Sequence, residues 1–159
     1  MKKGHLSEYF SGIAAKTLSA VEADSTRSNQ HEFNGIAALK RIFGQAHGKQ
    51  RYYATFLYLT DDEPIIADST VTWYDAREAH PVRSEHRLYF PSTEVTALAT
   101  EGDLLVIGKR QDGTVLILIA QAKSTIANQV AWLFGISGAE TPGFTIQDEQ
   151  DSDKKKLEF

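Results

Sequence analysis

The chain has no cysteine in its 159 residues, so disulfides and thiolate zinc sites are excluded and a reducing compartment is permitted. Long apolar runs are missing as well. The longest, Val115 to Ala120, has the length of a strand and falls far short of the ~20 residues of a membrane helix, so no membrane partner is expected. Two lysines near the start are followed by Gly-His-Leu-Ser-Glu rather than an apolar segment; no secretory signal is read, and a cytoplasmic location is expected. There is no internal repeat, no glycine-rich phosphate loop and no serine in a nucleophile-elbow context. Net positive charge is also lacking: the formal charge is −4, which by totals alone counts against a nucleic-acid partner.

What is present fits one globular domain. Apolar residues make up 42% of the chain, too many for a disordered polymer and enough for a core at this length. The charge is unevenly spread. From Arg27 to Tyr53, five Arg or Lys (Arg27, Lys40, Arg41, Lys49, Arg51) stand against Glu32, whereas Leu57 to Asp75 has five acids and no basic residue. Exposed charges are screened beyond about 8 Å, so a basic face on an acidic body is allowed.

The order of patterns predicts an α+β fold. His5 to Ile13 places Leu6, Tyr9, Phe10 and Ile13 at helical spacing, and Ala15 to Glu22 alternates like a strand. Ile36 to Phe43 reads as a two-turn helix closed by Gly44. Strands are expected at Arg51 to Leu59, Ser69 to Tyr74 and Arg87 to Phe90, with Asp61-Asp62-Glu63 as a solvated turn after the first. A helical turn is expected at Glu94 to Leu98. Leu104 to Lys109 and Val115 to Ala120 form a hairpin turned by Asp112-Gly113, and Thr125 to Phe134 a helix with Ile126, Val130 and Leu133 or Phe134 inward. Six strands with short helices and no regular alternation argue for a mainly antiparallel sheet, closed or half-open as a barrel. Residues 1–138 are read as the domain and 139–159 as a charged linker or tail.

Two polar stretches are the candidate binding arms. Between Trp73 and Pro91, three arginines, two histidines and two glutamates lie between aromatic strands. In an extended segment Arg83, Glu85 and Arg87 point one way and Ser84 and His86 the other. Arginine forks match a guanine edge and a carboxylate accepts from a cytosine amino group, so one face suits a C·G step in a major groove; an exposed, salt-bridged hairpin loop fits the same spacing. The other stretch, Arg27 to Asn34, offers Arg27, Asn29, Gln30, His31 and Glu32. Asn34 is placed to cap the following helix, but that role leaves the run of large polar side chains beside it unexplained.

Catalytic patterns are weaker. Asp103 or Asp112 with Lys123 faintly resembles the acid and lysine set of a small metal-dependent nuclease, the alternative reading. His80 and His86, six apart across Pro81, have no metal-ligand spacing.

Residues 16–22 (Lys-Thr-Leu-Ser-Ala-Val-Glu), 28–35 (Ser-Asn-Gln-His-Glu-Phe-Asn-Gly), 72–77 (Thr-Trp-Tyr-Asp-Ala-Arg), 83–89 (Arg-Ser-Glu-His-Arg-Leu-Tyr) and the paired strands of 103–120 resemble, in order and spacing, the N-terminal DNA-recognition domain of EcoRII-type restriction endonucleases. The resemblance covers roughly residues 6 to 135. It implies a DNA-binding pseudobarrel, shared with plant transcription-factor domains of the auxin-response type, that grips the major groove of double-stranded DNA with two arms. His31 matches the first arm, and Arg83, Glu85 and Arg87 match the second. His86 stands where the family has lysine, Pro81 replaces an expected basic residue, and Ile36 lies near an expected aromatic. With the polar residues of the two stretches added to the four matched residues, the expected DNA-contact set is Arg27, Asn29, Gln30, His31, Glu32, Asn34, Arg77, Arg83, Ser84, Glu85, His86 and Arg87. The resemblance further implies a non-catalytic part of a restriction-modification enzyme. DNA binding would need no cofactor, and magnesium would serve only a separate C-terminal nuclease domain.

Overall fold

The computed structural model describes residues 9–23, 32–34, 37–77, 79, 85–134 and 145–147. Alternating apolar residues on most of its strands have two faces to cover, and short helices cover them. The described strands are β1 (Phe10–Thr17), β2 (Glu32–Asn34), β3 (Gln50–Leu59), β4 (Ile65–Asp75), β5 (His86–Tyr89), β6 (Leu104–Arg110), β7 (Val115–Ala120) and β8 (Thr145–Gln147). The helices are α1 (Ala20–Ala23), α2 (Ala37–Phe43), α3 (Glu94–Leu98) and α4 (Thr125–Leu133). All eight strands join one sheet in the order β2-β5-β4-β3-β7-β6-β1-β8, curled into a half-barrel. Every pairing is antiparallel except β3 with β7. The fold is α+β and mostly strand, and no helix among the described residues is long and apolar enough to cross a membrane.

Period-two alternation sorts the core onto the two sides of the sheet. Ala54, Phe56 and Tyr58 of β3, Val71 and Trp73 of β4, Leu105 and Ile107 of β6 and Val115, Ile117 and Ile119 of β7 face one way, under Leu39 and Phe43 of α2 and Val95 of α3. Phe10, Ile13 and Ala15 of β1, Leu104 and Val106 of β6 and Leu118 and Ala120 of β7 face the other way, under Val130 of α4 and Phe134. That second cover centres on the β1, β6 and β7 part of the sheet, with Leu57 and Leu59 of β3 packed against its edge, and Tyr53, Ile66 and Tyr89 on β3, β4 and β5 stay exposed.

Local chemistry sets the ends. Gly44 follows α2 at φ +79° and donates its N–H to Lys40, a left-handed helix stop that only glycine adopts without strain. Thr93 and Thr96 form a capping box on α3. Ser124 caps α4 through the Ala127 N–H, and Asp61 accepts from the N–H groups of Thr125 and Ile126. Asp61 therefore ties the β3–β4 turn to a helix N-terminus, where a carboxylate is favoured, in place of the purely solvated role expected for it.

Three expectations change. Residues 10–13 are strand, not helix: a bulge between Phe10 and Gly12 in the pairing with β6 breaks the alternation and leaves apolar spacing that looks helical. The expected strand Ala15 to Glu22 ends early, with Ala20–Ala23 helical. Within the expected tail, Thr145–Gln147 pairs with Ile13–Ala15 of β1 and extends the sheet past residue 138.

Candidate nucleic-acid interface

The backbone brings the roots of the two arms together. β2 pairs with β5 in the register Glu32↔Tyr89, Phe33↔Leu88 and Asn34↔Arg87, and β5 pairs on its other side with β4. The end of the first arm and the return of the second thus lie on neighbouring strands. Arg27, Asn29, Gln30, His31, Arg83 and Ser84 fall outside the described residues, and Glu32 and Asn34 are described by backbone alone.

The second arm is clamped at its neck. Asp75 Oδ1 accepts the N–H of Arg77 at 2.9 Å and of Glu85 at 2.8 Å, and the Ala76 N–H donates to the Glu85 carbonyl at 2.8 Å. Those two backbone donors, Glu85 first and then Arg77, hold the Asp75 carboxyl below its usual pKa. Beyond the clamp, Glu85 accepts from Arg87 and lies 3.8 Å from Arg77 Nε. All three side chains are partly exposed, so both cations and the carboxylate are presented together.

His86 is corrected. It alternates away from Glu85 and Arg87, as an extended strand requires, and that direction is the core: the residue is 4% exposed. Its ring stacks on Trp73 at 5.1 Å, Trp73 on Phe43 at 5.2 Å, and Nε2 accepts the Ala46 N–H at 3.1 Å. Burial pushes the imidazole below its ordinary pKa, opposed by Asp75 and aided by Lys40. A buried neutral ring used as an acceptor is a structural part of the arm's foundation and leaves the DNA-contact set.

Beside the arm roots lies a patch that sequence reasoning missed. Across β3, β4 and β5, Arg51, Thr72 and Tyr89 are register partners in one row, and Tyr74 pairs with Arg87 in the next, with Lys49 Nζ 5.8 Å from the Tyr74 ring centroid. Lys49, Arg51, Thr72, Tyr74 and Tyr89 line a groove of about 490 Å³. The available signal was alternation: Ala54, Phe56 and Tyr58 are the core side of β3, which sends Arg51 and Tyr53 outward. The acids Asp61, Asp62 and Glu63 sit at the other end of the β3–β4 hairpin. Asp61 lies ten positions along the chain from Arg51, up to about 33 Å if fully extended and so beyond a screening length.

Of the nuclease alternative, Asp103 and Lys123 lie at one end of the β6–β7 hairpin and Asp112 at the other. Asp112 and Asp103 flank opposite ends of β6, and Leu104 pairs with Ala120, which puts Lys123 at the Asp103 end. Asp112 is held in the hairpin turn by Thr114 at 2.7 Å, and those hydrogen bonds keep its carboxyl below the usual pKa. Asp103 is buried and accepts from Tyr58 Oη at 3.1 Å, the Thr100 N–H at 2.9 Å and the Ala122 N–H at 3.0 Å. Burial, and then the charge of Asp103, push the Tyr58 hydroxyl up to about 12. Asp103 is engaged in joining three segments of the fold.

No protein-family model matches the chain, and no curated protein sequence matches it.

Proposed function

We propose that the chain is a sequence-specific, double-stranded DNA-binding domain of a type II restriction endonuclease, built as a DNA-binding pseudobarrel and non-catalytic by itself. Its two polar arms enter the major groove, and its partner within the full enzyme is a C-terminal nuclease domain that uses magnesium. The observation that carries this reading is the β2-β5-β4 pairing, which roots both arms on adjacent strands with Asp75 clamping the second. Two arms rooted side by side can reach one short site.

The chemistry of the arms fits direct readout. Arginine forks match guanine, Asn and Gln match adenine, and a carboxylate accepts from cytosine. The local cations offset the overall charge of −4, because screening isolates them from the acidic hairpin end. Selection of bound duplexes from a random pool tests the reading. Recovery of one short motif, with affinity that falls steeply as salt rises, is the expected result, since each neutralised phosphate adds about 0.9 to the salt slope. A pool that emerges unenriched sinks it.

A further inference from the structure

We propose that the solvent face of β3, β4 and β5 is a stacking subsite for one unpaired nucleotide of a DNA strand, with Tyr89 under the base and Lys49 and Arg51 on the phosphate. The inference deepens the DNA-binding reading and rests on it for the class of partner. Lys49, Arg51 and Thr72 lie outside the two arms, and Tyr74 and Tyr89 stand on β4 and β5 where the second arm leaves and returns. The groove they line, about 490 Å³, falls in the range of small-ligand sites and is too small for a duplex.

Charge complementarity names a phosphate, and the tyrosines name a base. Cations alone would suit the backbone of paired DNA, but phosphates need no rings, and here Tyr89 is 42% and Tyr53 78% exposed on the same side of the sheet. Aromatic side chains beside a cationic track are the common means of holding unpaired bases, because every base has a stacking face. Arg51, Thr72 and Tyr89 sit on three consecutive strands about 4.8 Å apart. A single nucleotide spans that row, base at one end and phosphate at the other. Thr72, between them, offers a hydroxyl, and Lys49 is steadied over the Tyr74 ring at 5.8 Å. Lysine is depleted at protein–protein interfaces, and Lys49 lies in this groove beside Arg51.

The test measures equilibrium binding of the full chain to a short thymidine strand and to the same strand with abasic sugars. The thymidine strand binds, and the abasic strand binds about 5- to 150-fold more weakly, the range for losing one stacked base. Tyr89→Ala lowers thymidine-strand affinity by a similar factor, Tyr89→Phe retains it, and Arg51→Ala weakens both strands alike. If Tyr89→Ala unfolds the chain, Tyr89→Leu, which keeps apolar bulk without a ring, takes its place and is expected to weaken the thymidine strand alone. Equal affinity for the two strands, or no binding of either, overturns the subsite. Motif selection from paired duplexes is read separately: if it persists while the subsite fails, the DNA-recognition reading stands, and if it fails while strand binding persists, that reading falls alone.

Discussion

The imidazole Nε2 of His86 accepts the backbone N–H of Ala46 at 3.1 Å, a contact between residues 40 positions apart. It links the segment after α2 to the strand that leaves the second arm. Trp73, stacked on the same ring, donates from Nε1 to the Gly44 carbonyl at 2.9 Å, so one aromatic pair closes both backbone groups of that turn. An Nε2 that accepts must be unprotonated, which fixes the neutral ring with its proton on Nδ1.

Stability is therefore expected to fall on mild acidification. The folded pKa of His86 is depressed, so below about 6.5 the unfolded chain takes up a proton that the folded chain refuses. The contribution is complete above that pH, declines as pH drops toward the folded pKa, and levels off beneath it. The slope from this group is at most about 1.4 kcal/mol per pH unit. Thermal unfolding between pH 8 and 5 checks it. His86→Gln, which cannot titrate, should flatten the slope, while His86→Ala leaves a buried N–H unpaired at a cost of about 1–3 kcal/mol plus lost ring packing.

This ring also marks the limit of what the residues disclose. Alternation alone places Glu85 and Arg87 on one side and His86 on the other, and the fold agrees. Which side is the core depends on α2 lying over Trp73, a contact made across the chain, so a polar residue type suggested solvent where the packing made a core acceptor. Turn chemistry is local, and it announced Gly44 and the Asp112-Gly113 hairpin correctly, with Gly113 at φ +91°. The bulge in β1 hid that strand because one inserted residue shifts the period. β8 was hidden for a different reason: it belongs to the sheet only through backbone pairing with β1, more than a hundred residues earlier.

Asp75 should govern the arm and not the body of the fold. Its Oδ1 holds two N–H groups at the neck, so Asp75→Ala is expected to speed amide exchange at Arg77 and Glu85 and to lower affinity for the selected duplex, with little change in global unfolding. Asp75→Asn, which keeps an acceptor oxygen, should fall between. Because the folded carboxyl pKa is lowered, the clamp holds above the ordinary carboxylate range and loosens as pH falls through the folded value. Exchange rates that match the parent chain in Asp75→Ala would remove the clamp from the account.

Asp103 is expected to matter for folding and not for hydrolysis. Asp103→Ala strands Tyr58 Oη and the Thr100 and Ala122 N–H groups, costing about 3 kcal/mol or more. Lys123→Ala should leave DNA binding intact, and the parent chain should not cut DNA when magnesium or manganese is supplied. Metal-dependent nicking that disappears in Lys123→Ala would restore the nuclease alternative.

Glu85 sits between two arginines, and that placement separates recognition from mere loop stability. Arg87 donates to its carboxylate and Arg77 Nε lies 3.8 Å away, all on partly exposed side chains. Exposed ion pairs are worth about 0 to 1 kcal/mol, so if these residues only stabilise a loop, Arg77→Ala, Glu85→Gln and Arg87→Ala will each trim stability within that range and leave DNA affinity alone. If the arm reads bases, the outcomes divide. Arg87→Ala and Arg83→Ala should each cost about 1–3 kcal/mol of discrimination between the selected and a scrambled duplex, the usual range for a bidentate base contact. Glu85→Gln should weaken the selected duplex while non-specific binding stays equal or rises, because a carboxylate that repels phosphates is gone and two guanidinium groups lose the partner that orients them. Titrating the variants against both duplexes at one salt concentration gives the answer, and specificity unchanged in all of them would end the two-arm reading.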